Sequence, residues 1–169
     1  MLFRSNTSAG SFSADAETKA ETYLTKFGDA ILRLAYSYVH NRHDAEDILQ
    51  ETLINILLSN PSFENSAHAK RYMLKTAANL SKNFLKKSRL RRTDTLQQDL
   101  AETQQESLAY LWQAVKQLPV SQREAVHLFY EEGYHIKEIS IILNRKEPTV
   151  RSDLRRGRET LRRILEKAE

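Results

Sequence analysis

"IKEISIILNRKEPTVRSDLRRGRETL", residues 136–161, decides how the chain is read. Ile136, Ile139 and Leu143 recur at helical steps and mark a short helix. Asn144 follows at once, and asparagine is the best substitute for glycine where a helix end must turn left-handed. A second helix begins near Glu147, with Pro148 in its first turn, where a missing N–H costs nothing. Val150, Leu154, Gly157 and Leu161 form its inner stripe, and the small Ser140 lets the two helices approach closely. This order of short helix, tight turn and long helix is the sequence form of a helix-turn-helix. The second helix of that motif enters the DNA major groove.

Residues 145–163 carry eight Arg or Lys against three Glu or Asp. A basic helix alone reads first as a solvated surface helix with pairs such as Arg155–Glu159. The preceding helix and turn favour the nucleic-acid reading instead. Glu147, Arg151, Ser152 and Arg155 then lie outward near the N-terminal end, where base edges are met. Arginine pairs bidentately with guanine, and glutamate accepts from cytosine N4. Arg156, Arg158, Arg162 and Arg163 fit phosphate positions better.

Composition agrees with a helical protein. Of 169 residues, 40% are hydrophobic and 28% charged, enough to bury a core. Only four Gly and three Pro interrupt the chain, and few runs alternate with period two. With no cysteine there is no disulfide, no thiolate zinc site and no Cys nucleophile. No stretch approaches about 18 consecutive apolar residues, so no membrane insertion is expected. The net charge of +4 is only a mild pointer to an anionic partner.

The rest of the chain parses as all-α, with two small helical domains joined by a flexible linker. Residues 1–15 read as a tail, 16–92 as an N-terminal domain, 93–106 as the linker and 107–169 as a C-terminal helix-turn-helix domain. In the first domain, Leu24, Phe27, Ile31, Leu34 and Tyr38 mark one buried stripe. "HNRHD" breaks it, and Asp44 is expected to cap the next helix, with Ile48, Thr52, Ile56 and Leu57 inward. "SNPSFENS", residues 59–66, is a loop. A third helix from about Ala67 to Arg89 turns Met73, Ala77, Leu80 and Phe84 inward. The linker "TDTLQQDLAETQQE" holds four acids and no base. Beyond it, Leu108, Leu111, Trp112 and Val115 define a helix that Pro119 ends; Ser121 is expected to cap the next, which Gly133 stops. Trp112, Tyr23, Tyr36, Tyr38 and Tyr72 are expected mostly on inner faces.

"LWQAVKQLPVSQREAVHLFYEEGYHIKEISIILNRKEPTVRSDLRRGRETLRRIL" resembles the promoter-reading C-terminal domain of bacterial RNA polymerase sigma factors. Leu118-Pro119, Arg123, Leu128, Glu138-Ile139, Leu143, Thr149-Val150 and Leu154 stand at that family's spacing. "HDAEDILQETLINIL" is similar to its segment that binds the polymerase clamp helices, and "YMLKTAANLSKNFLKKSRLRR" to the segment that melts and holds the downstream promoter element. Two such domains in this order resemble the compact extracytoplasmic-function group. The resemblance implies a transcription initiation factor, not an enzyme, with core RNA polymerase (clamp helices and flap) and promoter DNA as partners. An anti-sigma factor is common in that group. The implied location is the bacterial cytoplasm, where such a factor can hold the protein at the membrane.

The resemblance also implies residue roles. Asp47, Gln50, Glu51 and Asn55, sharing an outward face, would bind the polymerase. Asn60, Phe63 and Asn65 in the loop would take a flipped base, which needs a stack and hydrogen bonds to its edge. Tyr72, Asn79, Lys82, Asn83, Lys86 and Lys87 would hold the downstream element. Glu147, Thr149, Arg151, Ser152, Arg155, Arg156 and Arg158 would read the upstream element. Several positions depart from the family. Tyr72 stands for a frequent Trp, Ala78 for Arg, Asn83 for Asp, Arg145 for an apolar residue, Lys146 for a Ser cap, Asp153 for Arg and Gly157 for Ala. Asp153 is therefore expected to face a base donor or point away from the phosphates. His40 and His43 with Asp44 and Asp47 offer metal-ligand types, but they are better read as a helix break, a cap and a partner face. No cofactor and no metal are expected. A stand-alone helix-turn-helix regulator and a pure interaction protein are the competing readings. The first leaves the acidic face and basic third helix unexplained, and the second predicts no salt-dependent DNA affinity.

Overall fold

The computed structural model describes residues 13–91 and 106–168, and the backbone but not the side chains of 106–108. The expected linker lies outside the described residues except for Glu106, which is already helical.

Helix α1 spans Ala14–Val39. The Ser13 hydroxyl accepts from the Ala16 N–H at 3.3 Å, and Asp15 and Glu17 in the first turn suit the positive end of the helix dipole. His40 ends it in the left-handed region at φ 53°. Helix α2, Arg42–Ser59, starts two residues later. Its cap is Asn41, whose Oδ1 accepts from Asp44 N–H at 3.0 Å; the expected cap, Asp44, sits inside the first turn. The break in "HNRHD" is thus confined to two residues. Asn60 (φ 44°) ends α2, and Asn65 opens α3, Ser66–Leu90, by accepting from His68 N–H at 2.8 Å.

Ile31, Leu34 and Tyr38 of α1, Ile48, Leu53 and Ile56 of α2, and Met73, Leu74 and Ala77 of α3 are all buried. The inward stripes are those expected, with Leu49 and Leu53 added on α2 and Leu24, Leu57, Leu80 and Phe84 only half-buried. Ala78 is fully buried, so this position faces the core here. Thr52 enters the core because its hydroxyl donates to Ile48 C=O at 2.7 Å.

In the second half, α4 (Glu106–Lys116) packs on α7 (Glu147–Lys167). Among the described side chains its inward residues are Ala114 and, beyond the helix end, Leu118; Leu108, expected to help define this helix, lies outside the described side chains. Leu111 and Trp112 are 38% and 40% exposed, which corrects the expectation that they face in. Tyr72 is corrected likewise, at 38% exposed. Helix α5, Val120–Val126, begins at Pro119 without a side-chain cap, so Ser121 lies within the helix rather than capping it. A π-helical turn, His127–Glu131, follows. Gly133 at φ 72° reverses the chain into α6, Ile136–Leu143. Gly157 meets α5 so closely that a Cβ there would stand 2.9 Å from Val126 Cγ2.

The two halves are packed against each other: α3 lies against α6, and α1 against α5 and the π-helical turn. Leu34, Tyr38 and Met73 from the first half belong to the same apolar cluster as Leu128, Ile139, Val150 and Leu154 from the second.

Candidate nucleic-acid and partner interfaces

The helix-turn-helix forms as its sequence dictates. Asn144 is left-handed at φ 51°, and its N–H donates back to Ile141 C=O at 3.3 Å. Helix α7 starts three residues later without a side-chain cap on Lys146, and Pro148 lies in its first turn. Val150 and Leu154 are buried, which turns Thr149, Arg151, Arg155, Arg156 and Arg158 to solvent, with Glu147 and Ser152 half-buried. Arg151 pairs with Glu147 at 3.2 Å and Arg155 with Glu159 at 3.1 Å, while Arg158 donates to the Tyr130 hydroxyl at 3.3 Å. These are exposed pairs worth a fraction of a kcal/mol each, about 0.3–0.5, so a DNA phosphate or guanine edge can displace them. A shallow groove between Phe129, Ile136 and the arginine side of α7 borders this face.

On α2, Asp47, Gln50, Glu51 and Asn55 are all exposed, opposite the buried Ile48, Thr52 and Ile56. His43 Nδ1 and Asp47 Oδ2 are 3.4 Å apart. Ligand-type atoms of His43, Asp44 and Asp47 lie within 4.8 Å of one another. An exposed i,i+4 pair on one helical turn accounts for that spacing.

The expected downstream-element residues divide into three groups. Tyr72, Asn79, Asn83 and Lys86 are exposed at steps of seven, four and three, which places them on one stripe of α3, with the exposed Lys87 beside it. The loop residues are tied into structure. Asn60 Oδ1 accepts from Lys19 Nζ at 2.6 Å, and Asn65 caps α3. Phe63 is half-buried edge-on to Tyr23, His68 and Tyr72, with centroids 6.3, 5.4 and 5.4 Å away. Tyr72 is therefore the more open ring of this group. Lys82 stands apart. It turns toward the second half and pairs with Glu124 at 3.3 Å.

Glu124, 1% exposed, is a node that sequence reasoning missed. It accepts a hydrogen bond from the Tyr38 hydroxyl and pairs with Lys82 and with Arg145 Nη2. Arg145 also bonds Asp153 Oδ2 at 3.0 Å and Ser121 C=O at 3.2 Å. Two departures from the family, Arg145 and Asp153, are thus partners. Asp153 points inward, away from the exposed arginines of α7. Burial pushes the Tyr38 phenol up, and burial with the Arg145 and Lys86 charges pulls Lys82 down to about 8. Glu132 forms a second node with Arg33 at 3.0 Å, His127 at 3.5 Å and Lys70 at 3.6 Å. Burial alone would raise its pKa, but hydrogen bonds with His127 and Arg33 outweigh that and hold it at about 2.

Residues 23–92 match the Sigma-70 region 2 family and residues 108–161 the Sigma-70, region 4 family. The ECF RNA polymerase sigma factor SigE of Mycolicibacterium smegmatis is 31% identical over 85% of this chain; the chain spans 60% of that relative's length. SigX of Bacillus subtilis, another ECF RNA polymerase sigma factor, is 27% identical over 89% of this chain and 84% of its own. Among solved structures, the sigma factor RpoE of Bartonella quintana, in complex with the anti-sigma factor NepR, superposes with a TM-score of 0.72 at 22% identity, covering 88% of this chain and 98% of its own. CnrH, in complex with the cytosolic domain of CnrY, gives 0.68 at 17% identity over 92% and 96%. At those identities the structures speak for the fold alone. Two sigma-70 regions in order, on a helical fold with a helix-turn-helix in the second, place the chain in the sigma-70 family as a transcription initiation sigma factor of the extracytoplasmic-function group.

Proposed function

We propose that this sigma factor binds core RNA polymerase through the exposed face of α2 and directs it to promoters by two separate readings of DNA. Asp47, Gln50, Glu51 and Asn55 supply the polymerase contact; their common exposure opposite a fully packed face supports this. Glu147, Thr149, Arg151, Ser152 and Arg155 read the upstream element in the major groove, with Arg156 and Arg158 on phosphates. The stripe of Tyr72, Asn79, Asn83 and Lys86, with Lys87, follows the downstream single strand, and the 59–66 loop, with Asn60, Phe63 and Asn65, flanks the extruded base. Residues 16–92 and 107–169 act as the two promoter-binding domains, and 93–106 as the linker that lets them span both elements. The protein contributes positioning and charge, and no chemical step of its own. Flap contact by the second domain and silencing by an anti-sigma factor fit the same scheme.

The observation that carries this reading is the outward row of α7, set by the Asn144 turn and by the buried Val150 and Leu154. A pull-down with core polymerase tests the other end of the molecule. The wild type is expected to retain polymerase, and Glu51→Lys to lose at least about tenfold in retention by setting like charges against a basic surface. Equal retention by both proteins contradicts the α2 assignment.

A further inference from the structure

Helix α3 has two cationic faces, and only one is open. Lys86 and Lys87 are exposed, whereas Lys70, Arg71 and Lys82 are turned toward the second half of the chain, with side chains only 31%, 30% and 29% exposed. Each meets a carboxylate there: Lys70 with Glu132 at 3.6 Å, Arg71 with Glu138 at 3.7 Å and Lys82 with Glu124 at 3.3 Å. Arg33 on α1 adds a further pair with Glu132 at 3.0 Å and approaches Glu131 at 3.8 Å. Every one of these ion pairs between the halves takes its cation from the first half and its acid from the second. Lys70 also lies 5.7 Å from the Tyr134 ring centroid.

We propose that Arg33, Lys70, Arg71 and Lys82 form a further phosphate-binding track. In the arrangement seen here the second half covers most of it and leaves Arg33 half-exposed, with Glu124, Glu132 and Glu138 standing where nucleic-acid phosphates would lie. The track opens when DNA displaces the acids. The proposal rests on the assignment of α3 to promoter DNA. The chemistry is an exchange of anions. A carboxylate that leaves the interface is hydrated, and a phosphate that arrives releases its counterions, so the electrostatic part of the exchange depends on salt, while the apolar cluster shared by the halves opposes opening. Lys82 lies one turn before Lys86 on α3, so DNA held by Lys86 is already beside one end of the track. Glu132, held at about 2 by its partners, keeps its charge at any physiological pH.

Two pairs of variants of the full chain separate this from a purely structural interface. Glu132→Gln with Glu138→Gln removes two of the three acids and leaves the track; Lys70→Gln with Arg71→Gln removes two of its four cations. By small-angle scattering at low salt, both double variants are expected to be more extended than the wild type at unchanged helicity. Their affinities for a single-stranded oligonucleotide without promoter sequence should move oppositely: about three- to tenfold tighter without the acids, and weaker than wild type without the cations. The wild type should itself extend between low and roughly half-molar salt with its helices intact, a measurement that needs no variant. Two results would overturn the proposal: a wild type that stays compact at all salt concentrations, or acid-removal variants that bind the oligonucleotide no better. If instead no protein supports transcription with core polymerase, the sigma reading of α3 fails, while the scattering still reports whether the halves are latched.

Discussion

At the scale of single residues, the chain places unusual side chains where backbone and burial demand them. His40 ends α1 in the left-handed region, half-buried beside Arg123, Lys116 and the Tyr36 ring. Burial, with the Arg123 and Lys116 charges, pulls its pKa down to about 4. The folded protein therefore keeps His40 neutral where the unfolded chain takes up a proton, so the unfolded state binds more protons between its ordinary pKa and 4. Stability contributed by His40 is full above about pH 6.5 and is lost as pH falls toward 4; discounting for partial exposure, the loss is about 1–2 kcal/mol. His40→Asn keeps a residue that tolerates positive φ and should flatten this part of a Tm-against-pH profile. Glu132 acts in a lower window, from its ordinary range down to about 2, so acid loss below pH 4 should persist in that variant.

At the scale of elements, the turn between α6 and α7 was legible because its determinants are local. Asn144 and Pro148 each fix one backbone angle, and the stripe of Val150, Leu154 and Gly157 lies within three turns of helix. The brace across the turn was not legible. Arg145 joins α5 and α7 through Glu124 and Asp153, which lie 21 and 8 residues from it, and no periodicity reports such pairings. The exposed Trp112 misled for a related reason. Among the described side chains its helix buries Ala114 alone, so a large aromatic beside it stays in solvent. Arg145→Leu keeps bulk but leaves Glu124 and Asp153 buried with one cation fewer. It should lower stability by about 3 kcal/mol, read as a fall in the chemical-denaturation midpoint. Arg151→Ala and Arg155→Ala disturb no buried group. They should each cut promoter-specific transcription about tenfold or more while leaving polymerase retention unchanged; equal loss of both activities would contradict the base-reading role.

At the scale of the whole molecule, the sequence announced two helical units in order, and family resemblance located both. The way they sit together was hidden. It depends on Tyr38 reaching Glu124 across 86 positions and Arg33 reaching Glu132 across 99. Those contacts turn Lys82 away from the stripe where sequence had placed it and shield Lys70 and Arg71, which sequence reasoning had not singled out. In the proposed function both halves act together on a promoter with core polymerase. Transcription in vitro from a library of promoter templates, with core polymerase and the purified chain, tests it most directly. Transcripts are expected from a subset of templates sharing two spaced elements, well above the level of core enzyme alone. Output at the core-only level on every template would contradict it.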